Sequence, residues 1–495
     1  MVFSSVSFLY FFLPVTLMVY YAVPRKWISG KNAVLLLASL FFYFWGEQLL
    51  VLVMLASAAI DYVNGLVIEK YRQSKVIPQI MLGVSVATNI ALLGYFKYFN
   101  FFAENFSSFF GIDYRIAQIA LPIGISFYTF QTLSYTIDVY RGNLKAQKNP
   151  VAYATFVTMF PQLVAGPIVR YSEVEKELAG RRNTFAGFSD GVRRFIIGLA
   201  KKVLIANVMA DLAQTIAASG ESTVLFAWMS VLAFFFQIYF DFSGYSDMAI
   251  GLGKMFGFKF PENFNYPYTA RSVSDFWRRW HMTLTRWFRD YIYIPLGGNR
   301  SSKGKLLRNI AVVWLLTGLW HGAAWNFIAW GAYFAVILTA EKFIWGRHLE
   351  KAPKAAGHIY TLFLVLFGWV LFSAGGLGEA WRNLSAMFGG GGIPFAGEQT
   401  WYYLRSYAFV FVFAVIGSTP LLKNLCGRLK NGKTNGGSGS PPSSEGQAAS
   451  ADMLRQEKRA KVMNALEPLF LAALLIIVTA FLVDGSFNPF IYFRF

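Results

Sequence analysis

Apolar blocks long enough to cross a membrane recur along the sequence and constrain its fold more than any other feature. A transmembrane helix needs about 20 predominantly apolar residues to span the hydrocarbon core. Candidate blocks lie at roughly 5–23, 33–46, 48–67, 78–96, 119–138, 191–216, 223–240, 309–345, 359–375, 401–421 and 465–484. With 56% hydrophobic and 14% charged residues, the chain is more apolar than a soluble domain. The sequence therefore predicts an all-α polytopic integral membrane protein.

The distribution of positive charge predicts the orientation of these helices. The loops PRKWISGK, EKYRQSK and RGNLKAQK alternate with poorly basic loops, and basic loops stay on the cytoplasmic side. Residues 254–308 carry eleven Lys or Arg residues against three acids and belong to the same side. The net charge of +19 follows from this pattern, so nucleic acid is not an expected partner. The N-terminal apolar run lacks a preceding basic region, which predicts a retained first helix that starts outside the cytoplasm.

Two segments depart from the pattern of straight apolar helices. Residues 151–169 contain Pro161, Gly166 and Pro167, which predict a re-entrant or broken helix. Such a backbone is tolerated at membrane depth only where protein or a water-filled cavity covers it. Residues 431–461 are rich in Gly, Ser and Pro and then charged, which predicts a flexible cytoplasmic loop.

His321 lies in TGLWHGAAW, inside an apolar block where a membrane helix has no general reason to carry an imidazole. Ionisable residues within membrane segments are costly and functional by default. Gly318 and Gly322 keep the neighbouring side chains small, which would let a substrate approach, and Trp320 and Asn326 are candidate supporting residues near the histidine. The structural alternative is tight helix packing around a neutral imidazole that bridges two helices.

His281 lies in SVSDFWRRWHMTLTRWFRDYIYIPLGGNR, residues 272–300, where apolar and aromatic residues recur at spacings of three and four. Six of them share one helical face by this spacing: Trp277, Trp280, Leu284, Trp287, Phe288 and Tyr291. The pattern predicts an interfacial amphipathic helix, so an anchoring role stays open beside a catalytic role for the histidine. Four basic residues are candidates for binding an acyl donor: Arg278, Arg279, Arg286 and Arg289.

A polar cluster precedes this segment in QIYFDFSGYSDMAIG, directly after an apolar block. Its candidate supporting residues are Gln237, Asp241, Ser243 and Asp247, with Gly244 available for a turn. Two carboxylates and several hydroxyls would line an aqueous vestibule or orient an imidazole. Asp241 or Ser243 would equally serve to cap the next helix, because both residue types are favoured at the N-cap.

The sequence offers little evidence of motifs for metal or dinucleotide chemistry. It contains no HExxH motif and no GxGxxG motif, which disfavours a zinc-dependent or dinucleotide-dependent mechanism. A single cysteine, Cys426, excludes an internal disulfide and a cysteine-cluster metal site. We therefore expect no metal site and no tightly bound cofactor. Two histidines and polar groups in an apolar bundle suit general-base activation of a hydroxyl that attacks an acyl donor.

Several runs of the sequence resemble the membrane-bound O-acyltransferase (MBOAT) superfamily, and specifically its bacterial branch of alginate O-acetyltransferase membrane subunits. The runs in the middle third are YFDFSGYSDMAIGLGKMFGF, ENFNYPY, DFWRRWHMTLTRWFRDYIYIPLGGNR and GLWHGAAWNFIAWG. LPIGISFYTFQTLSYTIDVYRG, FPQLVAGPIVRY and both ends of the chain are similar to the same branch. The resemblance therefore covers nearly the whole chain apart from the loop at 431–461.

The resemblance implies one membrane domain with about 11 transmembrane helices, re-entrant segments and a central funnel or tunnel that meets near a catalytic histidine. His321 matches the essential histidine of the family, the expected catalytic base, and His281 matches a second catalytic histidine of this branch. The implied organisation is a single domain over 1–495, with N-terminal helices at 1–150, a catalytic core at 151–345, and a last helix with a tail at 465–495.

The implied activity moves an acetyl group from a cytoplasmic donor, acetyl-coenzyme A or an acyl carrier, across the bacterial inner membrane for O-acetylation of an exopolysaccharide such as alginate. The expected partners are membrane lipid and a periplasmic or membrane-anchored protein of the serine-hydrolase type, and both termini are expected to be periplasmic. Alternatives within the family act on peptidoglycan, cellulose or teichoic acid, the last with D-alanine. A transporter or flippase is the alternative from another class, but paired halves are not visible.

Overall fold

The computed structural model describes residues 1–112, 119–431 and 446–485, and every regular element in these ranges is helical. The first helices are α1 (Leu13–Ala22), α2 (Ile28–Glu47), α3 (Val51–Lys70), α4 (Ile77–Leu93), α5 (Phe99–Phe110), α6 (Ile125–Tyr140), α7 (Pro150–Thr158) and α8 (Phe160–Leu163). The middle helices are α9 (Tyr171–Ala179), α10 (Phe185–Ala200), α11 (Asn207–Ala218), α12 (Val224–Met255), α13 (Val273–Arg279), α14 (Met282–Phe288), α15 (Lys303–His321) and α16 (Trp325–Ala340). The last helices are α17 (Gly346–Lys351), α18 (Lys354–Ser373), α19 (Leu377–Met387), α20 (Glu398–Ser406), α21 (Ala408–Gly417), α22 (Leu421–Asn431) and α23 (Gly446–Asp484). The predicted all-α membrane fold is confirmed.

Six helical stretches of the described residues are long and apolar enough to cross a membrane. They are Ile28–Lys70, Ile77–Phe110, Val224–Met255, Trp325–Lys351, Lys354–Ser373 and Asn464–Asp484. Helices α20 and α21 form a seventh if their 50° bend lies within one span. Other helices, such as α6 and α10, are shorter or carry more polar residues. Neighbouring helices cover them, so they need not be apolar on all sides. The total of about 11 transmembrane helices stays a prediction.

Helix α6 lies in the interior of the bundle and carries polar residues on several sides. All of its residues except Ile137 and Tyr140 are buried, and it packs against α3 and α4. It begins after Gly124, whose φ is +80° and whose Cβ position lies 2.7 Å from the main-chain oxygen of Leu163. Only glycine fits both conditions. The preceding loop is thereby held against the end of α8.

The segment at 151–169 is broken, as its prolines and glycine predict. Helix α7 ends at Thr158, and Pro161 lies in the first turn of the four-residue helix α8, where proline is tolerated because its missing N–H would have no helical partner. The chain from Phe160 to Val169 is buried throughout. Protein therefore covers this irregular backbone, which is the condition for its presence at membrane depth.

Helices α10 and α12 approach each other closely through small residues. A Cβ on Gly244 would lie 2.7 Å from the main-chain oxygen of Gly198, so glycine at this position allows backbone contact. The predicted turn at Gly244 is wrong because α12 continues unbroken for 32 residues. Asp241 and Ser243 lie inside this helix, and the alternative that they cap a helix is therefore wrong as well.

The single amphipathic helix predicted for residues 272–300 is also wrong. Helix α13 begins where the Ser272 hydroxyl accepts a hydrogen bond from Asp275 N, and α14 begins at Met282 after a break. His281, with a φ of +43°, lies in this break because Met282 N bonds to the main-chain oxygen of Asn263. The six residues predicted on one face are buried in the protein core, which contradicts a membrane-surface anchor.

Two further features are the apolar block at 309–345 and the loop predicted at 431–461. Helices α15 and α16 pack side by side and turn at residues 322–324, so this apolar block is a helical hairpin. Of the loop predicted at 431–461, residues 432–445 lie outside the described residues, and α23 already begins at Gly446. The run ADMLRQEKRAK is rich in good helix formers, which explains why the last helix extends into this segment. The tail from 486 onward lies outside the described residues.

Candidate active site

His321 is the last residue of α15 and lies in a shell of aromatic rings. Its side chain is 5% exposed, and its ring centroid lies 4.9 Å from that of Trp320, 5.1 Å from that of Trp330 and 5.2 Å from that of Phe372. All three contacts are edge-on, an arrangement that aromatic pairs favour. The rings fix the orientation of the imidazole and keep bulk water away from it.

Small residues near His321 build the hairpin that carries it. A Cβ on Gly318 would lie 2.3 Å from the main-chain oxygen of Phe327, and one on Gly322 would lie 2.2 Å from the Phe327 ring. These contacts bring α15 and α16 together directly beside the histidine. Tight helix packing, the structural alternative from the sequence, therefore accounts for the presence of these two glycines. The position of His321 in turn depends on this packing.

His281 is held by an amide from the loop before α13. Its Nδ1 lies 3.0 Å from Asn263 Oδ1, which also accepts hydrogen bonds from the main-chain N and the hydroxyl of Thr283. Asn263 Nδ2 donates to the Ser246 hydroxyl. Because this network fixes Oδ1 as an acceptor, a neutral imidazole carries its proton on Nδ1. His281 Nε2 is then a lone-pair nitrogen, and it has no hydrogen-bond partner among the described residues.

Trp320 lies between the two candidate catalytic histidines. Its ring centroid is 6.0 Å from that of His281 and 4.9 Å from that of His321, while Phe242 packs edge-on against His281 at 4.7 Å. The structure thus brings together two histidines that are 40 positions apart in the sequence. Trp320 is buried, and its indole N–H has no hydrogen-bond partner among the described residues.

Two cavities approach the histidine pair. The His321 cavity, with a volume of about 70 Å³, is lined by His321, Trp320, Lys97 and residues 121–127, which form the end of a loop and the first turn of α6. It offers room for a few water molecules or for the reacting end of a substrate. The Asn263 cavity, with a volume of about 600 Å³, is lined by Asn263 and by charged residues of α10 and α12. His281 bonds to Asn263, which lines the Asn263 cavity, and lies 6.0 Å from Trp320, which lines the His321 cavity, measured between ring centroids.

Lys97 is a site residue that the sequence analysis missed. Its ammonium donates hydrogen bonds to the main-chain oxygens of Trp320 and His321 and to the Ser126 hydroxyl. The feature of the sequence that could have identified Lys97 is its position directly after an apolar block, in the helical stretch Ile77–Phe110. A cation near the end of a span is commonly read as an interface anchor, which hides a contact with a helix 220 residues further along the chain.

The predicted polar cluster of α12 is largely used in ion pairs. Asp241 pairs with Lys202 at 2.7 Å, and Asp247 pairs with Arg194 at 2.9 Å and with Lys201 at 2.7 Å. Asp247 and Ser243 line the Asn263 cavity. Gln237, one turn before Asp241 in α12, is half-buried. Asn326 donates from Nδ2 to the main-chain oxygen of Ala374 and leaves its Oδ1 without a partner among the described residues.

The four candidate donor-binding arginines fall into two groups. Arg278 and Arg279 line the Arg278 cavity, with a volume of about 760 Å³, together with Arg271, Trp314 and Lys354. Arg278 is 72% exposed at its side chain, so its guanidinium is accessible. Arg279 pairs with Asp275 of the same helix at 3.1 Å. Arg286 and Arg289 do not line this cavity, and they pair with Glu173 and Asp290, both at 2.7 Å.

Two short runs match motifs of other enzyme classes but lack their structural setting. GFSDG, residues 187–191, matches GxSxG, yet it lies inside α10. GRLKNGKT, residues 427–434, matches GxxxxGK[ST], yet the described residues before it form helix α22. Both motifs require a preceding β-strand, and no strand occurs in 1–112, 119–431 or 446–485. Within the same ranges, no three His, Cys, Asp or Glu side chains group as metal ligands.

Comparison with known proteins agrees with the motifs. The model of the MBOAT, membrane-bound O-acyltransferase, family matches residues 3–377. A probable alginate O-acetylase AlgI of Azotobacter vinelandii is 43% identical over 395 residues, 78% of this chain and 78% of that protein. The peptidoglycan O-acetyltransferase of Helicobacter pylori is 36% identical over 435 residues, 79% of this chain and 81% of that protein.

A more distant relative extends the range of acyl groups and acceptors named in the family. The teichoic acid D-alanyltransferase of Bacillus subtilis is 29% identical over 269 residues, 51% of this chain and 68% of that protein. The names of all three relatives describe transfer of an acetyl or D-alanyl group. Together with the family match over most of the length, this identifies the protein as a multi-pass membrane acyltransferase that belongs to the membrane-bound O-acyltransferase family.

Proposed function

We propose that this acyltransferase moves an acetyl group from a cytoplasmic thioester donor, acetyl-coenzyme A or an acyl carrier, across the inner membrane for O-acetylation of an exopolysaccharide such as alginate. One observation carries this proposal: His321 lines the small His321 cavity, and His281 bonds to Asn263, which lines the Asn263 cavity. An acyl group approaching from one cavity and a hydroxyl approaching from the other would meet at these two imidazoles.

His321 is the proposed catalytic base. It takes the proton from the acceptor hydroxyl while the hydroxyl oxygen attacks the carbonyl carbon of the thioester. The carbon–sulfur bond then breaks, and the leaving thiolate receives the proton from the imidazolium. The aromatic rings of Trp330 and Phe372 support this role, because they exclude water that would otherwise hydrolyse the thioester.

His281 is proposed to act next to His321 through its Nε2 atom. The bond from Nδ1 to Asn263 leaves Nε2 as an acceptor, so this nitrogen suits transient binding of a proton from the donor side. It is buried, and its partner Asn263 lines the Asn263 cavity. We therefore place His281 on the path of the acyl donor and His321 at the acceptor.

The basic surface around α13 is the proposed binding place for the phosphates of the donor. The Arg278 cavity is lined by Arg271, Arg278 and Arg279, and guanidinium groups favour phosphate recognition. The main-chain oxygen of Arg279 accepts a hydrogen bond from Asn265 N, a residue of the Asn263 cavity, so a donor held here by its phosphates would extend its acyl group toward His281. Arg286 and Arg289 do not line this cavity, which makes these two residues weaker candidates.

The small size of the His321 cavity favours acetyl transfer through a partner protein. The His321 cavity of about 70 Å³ admits a single hydroxyl-bearing end but not a sugar polymer. A periplasmic or membrane-anchored partner of the serine-hydrolase type would present such an end and pass the acetyl group to the polysaccharide. Alginate is the first proposed polymer because of the 43% identity to a probable alginate O-acetylase, with peptidoglycan as the alternative.

Acetyl transfer in purified protein tests this proposal. The protein in detergent is incubated with radiolabelled acetyl-coenzyme A, with and without the partner, and thioester cleavage and transfer are counted. We expect turnover in the wild type, its loss in His321→Ala, and a strong decrease in His281→Ala. His348→Ala is the matched control because His348 is exposed, and it should keep full turnover. Full turnover in His321→Ala would overturn the assignment of the base.

A further inference from the structure

Lys97 places a positive charge at the candidate active site. It lies in a five-residue π-helical turn, Gly94–Tyr98, between α4 and α5, and such turns frequently occur at functional sites. Its Nζ lies 3.2 Å from the Ser126 hydroxyl and 3.5 Å from the main-chain oxygen of His321, and it also donates to that of Trp320. Lys97 and His321 line the same cavity.

The hydrogen-bond partners of this ammonium are all neutral. Two are main-chain oxygens and one is a hydroxyl, and among the described residues no carboxylate forms an ion pair with Lys97. A charge without a counter-charge at membrane depth is costly and marks function. The contact to His321 O is at the limit of hydrogen-bond length, so that N–H is available to a better acceptor.

We propose that Lys97 is a catalytic residue that stabilises the oxyanion of the acyl-transfer intermediate. This inference rests on the proposed acetyl transfer. When the acceptor oxygen bonds to the carbonyl carbon, the π electrons of the C=O bond move onto the carbonyl oxygen and the hydroxyl proton goes to His321. The ammonium of Lys97 then donates to this oxyanion. When the C=O bond re-forms, the C–S bond breaks and the thiolate takes the proton from His321.

Trp320 supplies a second donor for the same oxygen. Its indole N–H has no hydrogen-bond partner among the described residues, and its ring lines the His321 cavity. The Lys97 ammonium lies 5.8 Å from the centroid of this ring. Two donors near one small cavity form the kind of site that stabilises developing negative charge in acyl transfer.

The competing explanation is that Lys97 only holds the end of α15. A positive charge near a helix C-terminus stabilises the helix, and Lys97 contacts the last carbonyls of α15. The neighbouring Tyr98 provides the matched control, because its hydroxyl donates to the main-chain oxygen of Leu319 at 2.9 Å. Tyr98→Phe removes a hydrogen bond from the same helix end without removing a charge.

Kinetics of Lys97→Met, Lys97→Gln and Tyr98→Phe separate the two roles. The variants are purified in detergent, their thermal unfolding is compared with the wild type, and kcat and KM for acetyl-coenzyme A are measured with the partner. We expect kcat to fall at least about 100-fold in both Lys97 variants, with KM within about twofold, because only the transition state loses a contact. Tyr98→Phe should keep kcat within about threefold of the wild type.

Binding of an acetyl-like methylphosphonate ester, which mimics the tetrahedral anion, provides a second readout. Lys97→Gln, which keeps hydrogen-bond donors but lacks the charge, should weaken its binding by about the same factor as kcat falls. Near wild-type kcat in a folded Lys97 variant, or an equal loss in Tyr98→Phe, would overturn the inference while leaving the acetyl transfer intact. If the wild type transfers nothing, or His321→Ala transfers normally, the proposed function fails and the inference fails with it.

Discussion

Lys202 and Asp241 form an ion pair of 2.7 Å, with side chains that are only 3% and 1% exposed. Asp241 lies in the middle of α12, and Lys202 lies in the π-helical turn that follows α10. The pair therefore joins the two helices whose glycines allow close backbone contact. Removing both charges from water is costly, and their attraction offsets that cost only while both partners are present.

We predict that breaking this pair destabilises the protein strongly. Asp241→Asn or Lys202→Met alone should lower the free energy of unfolding by about 3–5 kcal/mol, because each leaves an uncompensated buried charge. The double variant Lys202→Met with Asp241→Leu should recover much of this loss. Reversible unfolding in mixed detergent micelles measures these differences.

The more exposed pair of Arg193 and Glu467, also 2.7 Å long, provides the control. Its side chains are 47% and 27% exposed, and exposed ion pairs contribute about 0–1 kcal/mol. Arg193→Met should therefore cost far less than Lys202→Met. Equal losses in the two variants would contradict the structural role of the buried pair.

The bond between Asn263 and His281 yields a second prediction. Asn263→Ala should lower kcat by about 10²-fold or more, because the Nδ1 proton of His281 loses its acceptor and Nε2 is no longer fixed as the free nitrogen. Asn263→Asp should retain more activity, since its carboxylate still accepts from His281 and from Thr283. Asn265→Ala, which changes another residue of the same cavity, should have little effect.

Kinetics at saturating donor concentration check this prediction together with thermal unfolding. A decrease in Asn263→Ala that matches an equal decrease in Asn265→Ala would assign the effect to the shape of the cavity. A decrease confined to Asn263→Ala, in a protein that unfolds at the wild-type temperature, would assign it to the orientation of the imidazole.

Local features of the sequence predicted much of this architecture. The apolar blocks gave most of the membrane-length helices, and the two prolines with Gly166 gave the broken segment after α7. His321 was recognisable because an imidazole in an apolar block is unusual, whereas a catalytic role for His281 came from the family resemblance. These signals depend only on residues close together in the chain, which is why a single sequence carries them.

Features that depend on distant contacts were not predictable. The break at His281 follows from a main-chain bond to Asn263, whereas the local spacing alone favours one continuous helix. The ion pairs of Asp241 and Asp247 join segments about 40 residues or more apart. Lys97 reaches the active site across 224 positions. Tertiary contacts determine all of these features, and the local periodicity of the sequence does not reveal such contacts.

The close contact between α15 and α16 yields a third prediction. Gly318→Ala adds a Cβ 2.3 Å from the main-chain oxygen of Phe327, so the hairpin must open beside His321. We expect a loss of about 1–3 kcal/mol in stability and a marked decrease in kcat. Gly304→Ala, in the same helix but with nothing within 4 Å of the added carbon, should leave both quantities near wild type. Comparable effects of the two variants would contradict this packing role.

The last prediction concerns the four candidate donor-binding arginines, of which only Arg278 and Arg279 line the Arg278 cavity. Arg278→Ala and Arg279→Ala should raise KM for acetyl-coenzyme A with little change in kcat, because both residues line the Arg278 cavity and would bind phosphate equally in the ground and transition states. Arg286→Ala should instead lower stability, since it breaks the ion pair with Glu173.

Two measurements distinguish phosphate binding from a general effect of charge. The rise in KM should be smaller when 3′-dephospho-coenzyme A carries the acetyl group, because one of the phosphates that an arginine would bind is missing. The wild-type KM should also rise with salt, and that rise should be weaker in the Arg278 and Arg279 variants, since screening acts on the charges they supply. If KM changes equally for both donors and at every salt concentration, the phosphates bind elsewhere, and the charged lining of the Asn263 cavity becomes the next place to test.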